Sequence, residues 1–182
     1  MLRITIPAIE KWDESREEFV VTKEQTLQLE HSLVSISKWE AKWCKPFLSK
    51  NNMTAEETID YIKCMTLTQN VSPDVYEGLT TEIVNKISEY INAPMTATWF
   101  SEAQRGGKRG SSETVTSELI YYWMIALNIP SEYQKWHLNR LLTLIQVCNI
   151  KNAPPKKMGK RAIMSQNAAL NAARRKQFNS NG

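Results

Sequence analysis

Histidine is nearly absent from the 182-residue chain, His31 and His137 being its two copies, and cysteine is scarce, with Cys44, Cys64 and Cys148 alone. Three thiols without C-x-x-C or Cys/His ligand spacing exclude a disulfide framework and a structural zinc site. Glycine numbers six, and the stretch Gly106-Gly107-Lys108-Arg109 departs from the phosphate-cradling pattern, which needs Ser or Thr after the lysine and a buried strand before the first glycine. Residues 101–113 therefore read as an exposed, flexible loop. Nowhere do ~18 apolar residues run together, and Met1 to Pro7 alternates in polarity without the apolar stretch of a signal peptide. These absences predict a cytosolic, reduced protein that stays off the membrane.

Reactive groupings are equally sparse. His137 and Cys148 are eleven positions apart in one helical segment, about 16 Å of rise, which keeps them from acting as base and nucleophile. The acid pairs Glu17-Glu18 and Glu56-Glu57 fall in a polar turn and at a helix start, where solvation and capping explain them. The expectation is no catalytic, metal or cofactor residue.

Acidic residues are missing from one end. Residues 1–150 hold 15 Lys and Arg against 19 Asp and Glu, a net of −4, whereas residues 151–182 hold eight cations and no acid. Lys156, Lys157, Lys160, Arg161, Arg174, Arg175 and Lys176 make this a basic tail. Two readings stand for it. An arm of this kind gains affinity for nucleic acid by releasing phosphate counterions; alternatively it is a solvated tail or docks on an acidic protein surface. Phe178 is its one aromatic, and stacking on bases usually takes more, which favours the second reading.

What is present predicts an α+β fold: a small N-terminal antiparallel sheet, a mainly helical core over 1–150, and the basic tail over 151–182, flexible or marginally helical. Strands are expected at Leu2 to Ile6, Phe19 to Thr22 and Thr26 to Glu30, with a polar turn at Trp12-Asp13-Glu14-Ser15. From Ser32 the period turns helical through Leu33, Ile36, Trp39 or Glu40, and Trp43, until Lys45-Pro46. Thr54 and Glu57 form a capping box ahead of Ile59, Ile62 and Met65. Pro73 opens a short turn with Val75, Tyr76 and Leu79, and a helix from Thr81 carries Ile83, Ile87, Tyr90 and Ile91.

The most apolar block, 115–150, predicts an αα-hairpin at the centre of the core: a first helix buried nearly all round through Trp123 and Leu127, a break at Asn128 to Ser131, and a second helix from Glu132 to about Cys148. Asn152-Ala153-Pro154-Pro155 marks the boundary to the tail. Ala162 to Arg175 has helical composition, but Ile163, Met164 and Leu170 make too thin a stripe for stability alone.

Six tryptophans are many for this length. Together with tyrosine they suit a protein that covers a partner's apolar surface, and Trp39, Trp43, Tyr121, Tyr122, Trp136 and Arg140 are the candidate contact residues.

Leu27 to Glu40, the Pro94-Met95-Thr96-Ala97-Thr98 stretch, Glu118 to Trp123, Lys135 to Leu142 and the basic ending Asn171 to Lys176 resemble the tail assembly chaperones of tailed bacteriophages. That resemblance implies a non-enzymatic protein of virion morphogenesis, acting by protein–protein interaction in the host cytoplasm. Its partners would be the phage tape measure protein, which it keeps soluble, and the tail tube protein, which it recruits; self-association is a further contact to test. Two rivals remain: a structural virion protein of the head–tail connector or tail, and a nucleic-acid-binding accessory protein using the basic tail.

Overall fold

The computed structural model describes residues 1–13, 17–49, 53–100, 114–153 and 160–178; the glycine-rich stretch 101–113, expected as an open loop, lies outside them, as do Lys156 and Lys157. The chain divides into two compact units, Met1–Lys151 and Asn152–Gly182.

The first unit opens with four strands where three were expected: β1 (Leu2–Ile6), β2 (Ile9–Asp13), β3 (Glu18–Thr22) and β4 (Gln25–Leu29). β1 pairs antiparallel with β4, and β2 with β3. One register runs through both ladders, from Leu2 opposite Leu29 to Ile9 opposite Thr22 and Asp13 opposite Glu18. The ladders are thus two halves of a single hairpin, interrupted where Pro7-Ala8 faces Lys23-Glu24. Proline has no N–H to donate, and the first ladder stops there. The turn expected at Trp12 to Ser15 begins later, because Trp12 and Asp13 are still strand. Polarity misled at this point because the distal half turns large apolar groups outward. Trp12 and Phe19 are exposed and meet edge to face across the strands, ring centres 5.0 Å apart.

The proximal half buries Ile4, Ile6, Leu27 and Leu29. The far edge of β4 is occupied by the chain after the second helix: the Glu30 N–H donates to the Met65 carbonyl at 3.0 Å and the Leu67 N–H to that of Gln28 at 2.8 Å. Helix α1 (Leu33–Trp43) starts from a reciprocal Ser32/Ser35 capping box, and α2 (Ala55–Met65) from the Thr54/Glu57 box legible in the sequence. A 3-10 turn, Pro73–Gly78, and α3 (Thr81–Asn92) follow as expected. Gly78 lies so close to the hairpin that a Cβ would stand 2.6 Å from the Ile9 side chain and 2.7 Å from that of Ile6.

Two expectations for the apolar block are corrected. In α4 (Ser117–Ala126) Ser117, Ile120 and Met124 are buried, while Trp123 is half-buried and Tyr122 and Ile125 are exposed. An all-apolar helix need not be an enclosed one; this one packs one face on α1 and leaves the other bare. The segment after it is not one helix either. A 3-10 turn, Ser131–Lys135, is followed by extended Trp136-His137 and then α5 (Leu138–Asn152). The cause is a long-range claim on the backbone, since His137 bridges to Ser32 and the Leu138 N–H donates to the His31 carbonyl at 2.8 Å. The core is therefore centred on α1 and α2 over β1 and β4, with Ile120, Met124, Leu138, Leu141 and Ile145 reaching in, rather than on an αα-hairpin.

The second unit contains α6 (Lys160–Phe178), on which Met164 and Leu170 are exposed. No described helix is long and apolar enough to cross a membrane.

Candidate partner-binding surface

The start of α4 is fixed from a distance. Glu40, buried on the inner face of α1, accepts the Phe47 N–H at 2.8 Å with Oε1 and the Ser117 N–H at 2.7 Å with Oε2. A carboxylate at a helix N-terminus satisfies an orphan amide and complements the dipole. With Ile120 and Met124 anchored below, the opposite face of α4 presents Glu118, Tyr122, Ile125 and Ala126 to solvent. Tyr122 is 63% exposed and Ile125 76%. At the edge of this face, the Tyr121 hydroxyl donates to Gln134 Oε1 at 3.0 Å, tying α4 to the 3-10 turn.

That turn carries a three-layer stack. Tyr133 lies nearly parallel to Trp136, ring centres 4.1 Å apart, and the Arg140 guanidinium carbon is 4.0 Å from the Trp136 ring centre. Two groups so close to one ring centre cannot share a face, so the indole is sandwiched between phenol and guanidinium. The spacing follows from the backbone. The Trp136 N–H closes the 3-10 turn onto the Tyr133 carbonyl at 3.0 Å, which brings the two residues one above the other, and Arg140 returns four residues later in the first turn of α5.

The segment beneath the stack is rigidly held. Asn139 Nδ2 donates to the Ile91 carbonyl at 3.0 Å and to the Ala93 carbonyl at 2.8 Å, closing the end of α3. His137 Nδ1 accepts the Asn139 N–H at 3.3 Å, which leaves the ring proton on Nε2 to be donated to the Tyr90 carbonyl at 3.0 Å. The other imidazole meets it there, His31 and His137 ring centres standing 5.0 Å apart. His31 Nδ1 is 2.5 Å from the Tyr61 hydroxyl, which in turn lies 3.4 Å from Ser35 Oγ. Burial first, and the neighbouring His137 second, push the His31 pKa down to about 3; burial also lowers that of His137. Both rings are enclosed, neutral hydrogen-bonding groups of the core, with no access for a substrate.

The predicted contact residues divide. Tyr121 and Tyr122 lie on α4, Trp136 and Arg140 stack on each other where the chain enters α5, and the Tyr121–Gln134 bond ties α4 to the 3-10 turn just before Trp136. Trp39 does not join them: only 2% exposed, it donates its indole N–H to the Glu57 carbonyl at 3.0 Å and has no face left for a partner. Trp43 is half-buried and fastens α1 to α2 through Asp60, whose Oδ2 accepts its indole N–H at 2.9 Å while Lys42 pairs with the other oxygen. Burial opposes the Asp60 charge, but these donors outweigh it and hold the pKa below the usual carboxylate value. In the tail, Lys160, Arg161, Arg174, Arg175 and Lys176 lie in α6, with Arg174 and Arg175 exposed. Sequence reasoning missed Tyr133, Gln134 and Ile125 as parts of the surface and the meeting of the two histidines. The Tyr133, Trp136 and Arg140 spacing carried a signal, but only for a reader who knew the first interval was 3-10.

Among the described residues no group of three or more His, Cys, Asp or Glu could hold a metal ion. No family model, curated protein or solved structure matches the chain.

Proposed function

We propose that the protein is a non-enzymatic tail assembly chaperone of a tailed bacteriophage, acting in the host cytoplasm, which binds the tape measure protein, keeps it soluble and helps recruit tail tube subunits. The observation that carries this reading is the solvent-facing apolar side of α4, Tyr122 and Ile125, beside the ordered Tyr133–Trp136–Arg140 stack. A stable domain that leaves such groups bare, on a base pinned by Asn139, His137 and Glu40, has the form of a receptor for an apolar client segment. The resemblance of residues 27–40, 94–98, 118–123, 135–142 and the basic ending to this class supports the tape measure protein as that client.

Co-expression with the tape measure protein of the same phage tests it. The client stays soluble with the wild-type protein and precipitates with Tyr122→Ala/Ile125→Ser, whose own melting temperature is unchanged. Stoichiometric copies in purified virions would instead favour a structural part of the connector or tail.

A further inference from the structure

We propose that the Trp136-backed guanidinium of Arg140 is a carboxylate-reading site, and that the segment docking on α4 is an amphipathic helix bearing Asp or Glu along the edge of its apolar stripe. The inference rests on the docking surface described above and names its partner's chemistry. Arg140 is exposed and lies flat on the indole, yet among the described residues it has no carboxylate partner, in contrast to Lys42 and Lys45, which pair with Asp60 and Glu57. An arginine held by its face keeps the N–H edges of its fork free for a planar, two-point bond to a carboxylate, and it gives up less rotamer freedom on binding than a mobile one. Lys135 and Glu132, both exposed on the 3-10 turn, offset each other, which leaves the Arg140 guanidinium as the charge that a carboxylate would meet.

The partner's form follows from the neighbouring face. Tyr122 and Ile125, with Ala126 beside them, form a helical ridge, and a helix laid against such a ridge meets it with residues at spacings of three and four. The chain's own tail is the wrong occupant, because residues 151–182 carry eight cations and no acid to offer Arg140. The acidic flank also gives direction to the contact: apolar burial on α4 supplies the affinity, and the Arg140 bond selects among apolar helices.

The test uses the full chain and two synthetic helical peptides with one apolar stripe, flanked on both sides by Glu in the first and by Gln in the second. Labelled peptide is titrated with protein and read by fluorescence anisotropy. Wild type binds the Glu peptide about 5–30-fold more tightly than the Gln peptide. Arg140→Gln binds the two peptides with equal affinity, while its cooperative melt shows that it remains folded. Arg140→Lys, which keeps the charge without the planar fork, retains only part of the preference. Equal binding of the two peptides by wild type, or a preference that survives Arg140→Gln, overturns the carboxylate site and leaves the client-binding reading standing. Binding of neither peptide overturns both. Displacement of the Glu peptide by a single-stranded oligonucleotide, or a wild-type dimer that Arg140→Gln dissolves in sedimentation, overturns the proposal by giving the stack a different occupant.

Discussion

Glu40 shows how one side chain can decide the placement of an element. Its two oxygens each satisfy one backbone N–H, those of Phe47 and Ser117, so no lone substitution at this position preserves both bonds. In Glu40→Gln the amide nitrogen faces a donor, and one buried N–H loses its acceptor; a loss of about 1–3 kcal/mol in urea melts is expected. The paired histidines set a different sensitivity. Folded His31 titrates near 3 against about 6.5 in an unfolded chain, and His137 is lowered as well. The unfolded chain therefore takes up protons first as pH falls. Stability is full above pH ~6.5 and declines toward pH ~3, by up to about 1.4 kcal/mol per pH unit for His31, and His137 acts in the same direction. Melting temperatures recorded from pH 7 to 4 check the sign, and in His31→Gln the slope over that range becomes shallower.

At the scale of elements, burial separates neighbours in α5. Leu141 is fully enclosed and Leu142 is half-buried, so Leu141→Ala costs about 2–5 kcal/mol and Leu142→Ala distinctly less, measured as shifts in denaturant midpoint. The contrast also marks what the sequence makes legible. Helices α1, α2 and α3 announce themselves through local chemistry: the Thr54/Glu57 box, Pro73 at its turn, and apolar residues at helical spacing. The start of α5 does not, because His137 and Leu138 are drawn into bonds with Ser32 and His31, more than a hundred residues earlier. Nor does the bare side of α4, since a helix apolar on every face carries no mark of which face is covered. Tyr121, Tyr122, Trp136 and Arg140 are candidates by residue type alone, and Trp39, which shares that type, is enclosed. Helical period places Trp39 and Glu40 side by side; that both go inside depends on the Phe47, Glu57 and Ser117 backbone groups awaiting them.

For the whole molecule, the division into Met1–Lys151 and Asn152–Gly182 places every buried core residue, among those described, in the first unit. A chain ending at Lys151 is expected to unfold in one cooperative transition with a midpoint close to that of the full protein, as calorimetry would show; loss of that transition would mean the second unit supports the first. The capping of α4 by Glu40 has a consequence for how such a protein diversifies. Because the first residue of the helix is set by an acid 77 positions upstream and its inner face by Ile120 and Met124, the outward positions bear no responsibility for where the helix lies. Tyr122, Ile125 and Ala126 form an interchangeable panel: a lineage, or an engineer, could rewrite it while the scaffold beneath stays as it is.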